Sequence, residues 1–221
     1  MFDTLLSLPL FQGLGHADLT RILESTRLEF QTLEPQTVFL RQGVLCTGLT
    51  YLLEGSVQLS TLSADRRWSV EEELAMPTVV GTDVLYGSAR TYAHSYQTLA
   101  STRTLFVDKR TVAALTSYFE VFRINLLNLL STSIDKQRRI GWLPARPSLE
   151  GRIIHFFLSH CQRPAGHKIF HLSQRVLGSY LGEDYRYISK ALHALEHREL
   201  VRLERNSIDV PALENLLKEN I

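Results

Sequence analysis

Tyr185, Arg186, Ser189 and Lys190 lie on or near the outward side of a helical pattern whose apolar positions Ile188, Leu192 and Leu195 step by four and three. Arginine and lysine there suit the O6 and N7 acceptors of guanine, while tyrosine reaches a phosphate or a thymine methyl. Arg175, Arg202 and Arg205, with Lys168, stand in the flanking segments as candidates for phosphate neutralisation. Any one of these cations alone reads as solvated surface charge; their order within one motif points to duplex DNA. His193 and His197, four apart on the same helix, form half of a metal site to which His160 and Cys161 could add ligands. A packed or DNA-facing histidine is the more ordinary reading, and no metal is expected. There is no G-x-S-x-G, P-loop or H-E-x-x-H, and Glu71-Glu72-Glu73 reads as a solvated strand edge or loop. No catalytic residue and no enzyme activity are expected.

Such a cluster needs an element that can present a helix end to a groove, and the stretch from His171 to Val201 has that form. Ser173 is a good N-cap for a first helix carrying Val176, Leu177, Tyr180 and Leu181 at core spacing. Gly182 stands where a left-handed residue would end it, and Asp184 can cap the next helix. The spacing predicts helices of about eight and fifteen residues around a three- or four-residue turn, a helix-turn-helix. Past it, Arg202-Leu203-Glu204 and Ile208-Asp209-Val210 flank Arg205-Asn206-Ser207 and predict a two-stranded wing. The N-terminal residues of the second helix then meet base edges in the major groove.

The remaining sequence has the composition of a globular protein of two small domains. Of its 221 residues, 44% are apolar and 21% charged, which excludes a disordered chain, a collagen-like repeat and a disulfide-stapled miniprotein. No stretch approaches the roughly 20 apolar residues of a membrane span. Met1–Phe11 lacks the basic flank and cleavage site of a signal peptide. Two cysteines, Cys46 and Cys161, fit a reducing compartment, so a cytoplasmic protein is expected. The net charge of +1 hides an asymmetry. Residues 1–135 hold 10 basic and 14 acidic side chains, net −4; residues 136–221 hold 14 and 9, net +5. That suits a nucleic-acid-facing module attached to a regulatory one.

Asp18–Leu23 reads as a short helix. From Leu28 to Asp108, short runs of Val, Leu, Tyr and Thr separated by turn residues predict an antiparallel all-β sandwich or barrel. Thr50–Leu53 and Val57–Ser60, around Glu54-Gly55-Ser56, are its best hairpin candidate. Lys109–Ile140 reads as one long helix in which Phe119, Phe122, Leu126 and Leu129 step by 3, 4 and 3, a heptad seam. A second stripe, Leu127, Leu130 and Ile134, runs beside it. One broad core-facing stripe gives the same pattern, whereas two stripes leave one for a partner helix, and the seam is the candidate dimer interface. Gly141–Pro147 ends the helix as a hinge, and Ser148 offers a cap to a further helix over Gly151–Gln162.

In this order the segments resemble the Crp–Fnr superfamily of bacterial transcription regulators over nearly the whole chain. Pro9-Leu10-Phe11-Gln12-Gly13-Leu14 is similar to the family's N-terminal lead-in. Arg41-Gln42-Gly43, Tyr51-Leu52-Leu53 and Glu54-Gly55-Ser56-Val57 are similar to its β-roll signature, and Gly151-Arg152-Ile153 to the start of its linking helix. Leu172–Val201 lines up without a gap on its helix-turn-helix, with Gly178 and Gly182 at matching places and Tyr185, Arg186 and Lys190 at base-contacting positions. The resemblance implies an α+β chain. Residues 1–115 would form an N-terminal antiparallel β-roll, cyclic-nucleotide-binding-like. Residues 116–141 would be a long dimerisation helix, and residues 142–221 a C-terminal winged helix-turn-helix.

The resemblance also implies an effector pocket, with Gly81, Asp83, Arg90, Thr91, Tyr92 and Ala93 as its candidates. Members that bind cyclic AMP carry Gly-Glu, a short helix and Arg-Ser-Ala, in which Arg binds the cyclic phosphate and Glu the ribose. Here no Glu follows Gly81, and aligning Ala93 with the family's alanine puts Thr91 at the phosphate arginine; Arg90 serves only if the loop shifts by one. Cyclic AMP is not expected. Two cysteines do not make an iron–sulfur site of about four, and haem has no support, so the effector is unknown or absent. Expected partners are double-stranded DNA with an inverted repeat, a second copy of the chain and RNA polymerase, with no membrane. The alternative is a ligand-binding or protein-interaction module whose winged helix does not bind DNA, and Glu183, Asp184, Glu196 and Glu199 around the second helix speak for it.

Overall fold

A computed structural model describes residues 2–26, 28–141 and 148–220. The chain divides into two compact units: Met1–Gln58 with Leu74–Lys136, and Leu59–Glu73 with Gln137–Ile221. The second unit therefore takes in a segment, Leu59–Glu73, that the sequence boundaries assign to the β-roll. Among the described residues no helix is long and apolar enough to cross a membrane.

The first unit opens with α1 (Phe2–Leu6) and α2 (His16–Ser25), whose Leu19 and Ile22 are buried. Its main sheet runs β1 (Glu29–Leu33), β8 (Thr102–Asp108), β3 (Gly48–Glu54), β6 (Thr78–Val80) in that order, all antiparallel. β2 (Val38–Leu40) pairs antiparallel with β7 (Ser95–Thr98), and both belong to a second sheet of seven strands. β3 is buried on both faces except at Glu54, and so reads as a continuous apolar run rather than an alternating one. The expected hairpin does not form. β4 (Val57–Leu62) follows β3 but belongs to a different sheet, beside β5 (Ser69–Glu73). Gly55, at φ 118°, carries the chain across; a Cβ there would stand 2.5 Å from Thr102 Oγ1 and 2.7 Å from the Ser101 carbonyl.

The long helix is two helices, α3 (Lys109–Tyr118) and α4 (Glu120–Gly141). Asp108 caps the first by accepting from the N–H groups of Arg110 and Thr111 at 2.9 and 3.2 Å. Phe119, with an extended backbone, breaks the run and turns its ring inward. Phe119, Phe122 and Leu126 are buried within their own unit and Leu129 is half-buried. Phe122 packs edge-on against Phe11 at 5.3 Å, and Phe11 in turn meets Tyr51 at 5.6 Å. Three of the four seam residues, Phe119, Phe122 and Leu126, are thus intramolecular core rather than a free face for a second copy. Among the described residues, the large apolar side chains that α4 exposes are Ile124, Leu127 and Ile134, which takes up two members of the second stripe. Of the hinge, residues 142–147 lie outside the described residues.

The second unit contains α5 (Leu149–Ser159), β9 (Lys168–His171), α6 (Gln174–Leu181), α7 (Tyr185–His197), β10 (Arg202–Leu203), β11 (Ile208–Val210) and α8 (Leu213–Asn220). Ser148 caps α5 through its Oγ, which accepts from Gly151 N at 3.1 Å. Strand order is β10, β11, β9, β5, β4. One core, in which Ile153, Phe157, Phe170, Leu177, Ile188 and Leu192 are fully buried, ties helices to sheet. Phe157 and Phe170 meet there at 4.5 Å.

Candidate nucleic-acid interface

Local chemistry fixes the two helices that carry the site. Ser173 Oγ accepts from Val176 N at 3.3 Å and starts α6; Gly182, left-handed at φ 67° and ψ 33°, ends it. Gly178 lets the turn close: a Cβ there would lie 2.8 Å from the Glu183 carbonyl and 3.5 Å from Ile188. Asp184 then caps α7, its Oδ1 accepting from Arg186 N at 2.9 Å and Arg186 Nε at 3.1 Å. Those bonds to the ionised carboxylate, the backbone one foremost, hold its pKa below the ordinary range.

α7 buries Ile188, Ala191, Leu192 and Leu195. The opposite side carries Tyr185, Arg186 and Lys190, all exposed, with Ser189 half-buried beside them. The Arg186 side chain is 84% exposed despite the contact with Asp184. Arg175, exposed on α6, places its guanidinium 5.8 Å from the centre of the Tyr185 ring, so the two helices present one cationic and aromatic surface. Arg205 is exposed in the turn of the wing, and Arg202 is exposed 3.8 Å from Asp209. Sequence reasoning missed Tyr187, 62% exposed between Arg186 and the buried Ile188. Its position one residue before an inward apolar one was the available signal.

Lys168 is not on this surface. It is fully buried, its ammonium 2.8 Å from Glu72, so it contributes no charge to a phosphate. Glu72 correspondingly leaves the solvated strand edge expected for it. Three of the four acidic residues near α7, Glu183, Asp184 and Glu196, have structural partners, and Glu199 is exposed. Glu183 pairs with Arg152 at 2.6 Å, and Arg152 also donates to the Leu181 carbonyl. Glu196 accepts from Leu203 N at 2.8 Å and from His193 at 3.0 Å, which joins the end of α7 to the wing and lowers its pKa, the backbone bond first. Among the described residues no three metal-ligating side chains come together.

The effector candidates in the first unit are only partly gathered. Gly81, at φ 95°, packs so closely that a Cβ would sit 3.0 Å from the Gly48 carbonyl, 3.2 Å from Cys46 Sγ and 3.5 Å from the Tyr92 ring. Tyr92 is buried there, and burial, with Cys46 beside it, pushes its hydroxyl pKa up. Thr91 bridges to Leu45. Arg90, exposed and left-handed at φ 51°, lines an open cavity of about 500 Å³ with Leu45, Cys46, Thr47, Asp108, Lys109 and Arg110. Asp83 and Ala93 face solvent.

Residues 151–219 match the model of the Crp-like helix-turn-helix domain. They are a Crp-like helix-turn-helix domain. The chain around this domain is similar in fold to two solved structures. The catabolite activator protein of Thermus thermophilus superposes with a TM-score of 0.52 at 20% identity, covering 96% of this chain and 97% of that one. A protein assigned as a transcriptional regulator of the Crp/Fnr family, from Eubacterium rectale, superposes with a TM-score of 0.54 at 17% identity, covering 96% and 98%. Comparison with curated protein sequences finds no match. The α+β architecture expected from the resemblance is present, with a sheet-rich N-terminal unit and the Crp-like domain at the C-terminus.

Proposed function

We propose that the protein is a homodimeric, sequence-specific DNA-binding transcription regulator of Crp–Fnr type. The observation that carries this is the N-terminal half of α7, where Tyr185, Arg186 and Lys190 point outward from a helix capped, buried on its other face and flanked by Arg175 and the wing. In the major groove these side chains reach base edges, with Arg186 suited to a guanine. Arg175, Arg202 and Arg205 neutralise backbone phosphates and set the register. Two copies joined through the exposed stripe Ile124, Leu127 and Ile134 read the halves of an inverted repeat about 34–36 Å apart. Bound there, the dimer works in the cytoplasm and presents itself to RNA polymerase.

The protein works with an effector other than cyclic AMP or without one. A cyclic phosphate needs a charge-assisted donor, and the aligned position is Thr91, with Tyr92 buried next to it and Arg90 turned to the outer cavity. Selection from random duplex DNA on the purified protein, at fixed moderate salt and with no added ligand, tests the reading. The expected product is an inverted repeat. Retention of no duplex even at low salt would sink it in favour of a module that does not bind DNA.

A further inference from the structure

The hairpin formed by β4 and β5 is built into the helix-turn-helix body by three kinds of contact. β5 pairs antiparallel with β9, Ser69 opposite His171, Val70 opposite Phe170, Glu71 opposite Ile169 and Glu72 opposite Lys168. On the inward face of that ladder Val70 and Phe170 are fully buried, and so is the pair Glu72–Lys168, each side chain 1% exposed at a separation of 2.8 Å. Glu72 is also the acceptor for the N–H groups of Gln162 and Arg163 at 2.8 and 3.3 Å, which fixes the chain just past α5. Trp68, 6% exposed, then lies against Phe156 and His160 of the α5 end, at 5.2 and 5.0 Å, and against Tyr180 of α6 at 6.1 Å.

Each contact supplies something the body lacks without it. β9 would be an open edge strand, a row of unpaired backbone groups. Lys168 would be a buried ammonium with no carboxylate, a costly state. α6 would lose the aromatic wall behind Tyr180. The register is also specified: a one-residue slip turns Val70 outward and drives Glu71 inward, so only the observed pairing sets a carboxylate against Lys168 and an apolar side chain against Phe170.

We propose that Leu59–Glu73 is a working part of the helix-turn-helix body, with Trp68 and Glu72 as positioning residues for α6. The hairpin holds β9, and β9 leads through the Ser173 cap directly into α6, whose turn sets the start of α7. The functional half of this inference rests on the DNA-binding reading; the structural half does not.

The test uses the full chain with Trp68→Ala, Glu72→Gln, Lys168→Met and the double Glu72→Gln/Lys168→Met, and two readouts. Hydrogen exchange of the amides from Ile169 to Leu181 is expected to quicken about tenfold or more in Trp68→Ala, while first-unit amides keep their rates. Affinity for the selected duplex is expected to fall about tenfold, the loss when only a tenth of molecules hold α6 competent. The salt slope is expected to stay at its wild-type value, because neither residue touches a phosphate. The double variant is expected to lose less than Lys168→Met, since it leaves no buried carboxylate unpaired. Unchanged exchange in both Trp68→Ala and Glu72→Gln overturns the proposal. So does a slope reduced by about one, which would make the hairpin a direct phosphate contact. If Trp68→Ala does not fold, Trp68→Phe and Glu72→Gln carry the same comparison with a smaller loss. If the wild-type protein retains no duplex, the DNA reading fails and exchange alone decides the hairpin.

Discussion

The outward face of α7 and the loop around Gly81 are both positions where a regulator of this fold would meet a partner, and they are built in opposite ways. At α7 three of the four neighbouring carboxylates are engaged in structure: Asp184 caps the helix, Glu183 holds Arg152 and Glu196 holds the wing. Arg186 and Lys190 are left facing solvent, although Asp184 also touches Arg186. Around Gly81 an added Cβ would meet the Gly48 carbonyl, Cys46 Sγ and the Tyr92 ring, and Arg90 lines an open cavity together with Cys46. The first arrangement is prepared for a polyanion. The second is close-packed at Gly81 itself. Under the proposed function, this difference is what a regulator without a cyclic AMP site would have.

The largest expected effects come from breaking each region's core in turn. Phe157 and Phe122 are each fully buried, the first in the unit of α7, the second in the unit of Gly81. Truncation to alanine is expected to cost about 3–5 kcal/mol in either case. Phe157→Ala should quicken exchange of second-unit amides and abolish DNA binding. Phe122→Ala should quicken exchange in the first unit and leave the amides of α6 and α7 protected. Exchange measured residue by residue decides; equal loss everywhere in both variants would mean the two regions share one cooperative core.

What could be read from the sequence follows the range of the signals. Ser173, Gly182 and Asp184 act on residues within one turn of themselves, so the caps and the turn of the helix-turn-helix are legible, whereas the close approach that Gly178 permits shows only in the structure. The same local logic misleads for Glu72 and Lys168. A glutamate run and a lone lysine read as solvated until strand pairing sets them opposite each other, and that pairing joins residues far apart in the chain. The heptad seam fails for a related reason. Its spacing describes a stripe that needs cover but not what supplies it, and here the cover for Phe122 includes Phe11. Gly55 had the local signature of a hairpin, but β3 and β4 take partners in different sheets.

Intermediate effects sharpen the face of α7 itself. Arg186→Ala is expected to cost about 1–3 kcal/mol of affinity and to relax preference at a single base pair of the selected site. Arg205→Ala, from the wing turn, is expected to weaken binding evenly across sequences and to reduce the salt slope by about one. Titrations of each variant against the selected duplex and single-base variants of it separate the two roles. If Arg186→Ala weakened all sequences alike, Arg186 would be a phosphate contact and the base-reading role would pass to its neighbours Tyr185, Tyr187 and Lys190.

The smallest effect concerns the cap on which Arg186 stands. The Asp184 carboxylate accepts from Arg186 N and Nε, and its pKa in the folded protein is lower than in an unfolded chain. A depressed carboxylate pKa adds stability that is fully present above the ordinary aspartate range and is lost as pH falls through the folded value. The first turn of α7 should therefore loosen in acid, seen as faster exchange of its leading amides once exchange is corrected for its intrinsic pH dependence. Asp184→Asn keeps the capping oxygen and removes the titration, so the acid-dependent step should vanish while α7 remains capped. The same substitution removes the charge that Arg186 faces. DNA affinity of Asp184→Asn should thus hold or rise, since the guanidinium no longer leaves a carboxylate to reach a base. A fall in affinity with α7 still capped would show that Asp184 orients Arg186 toward its base instead of competing for it.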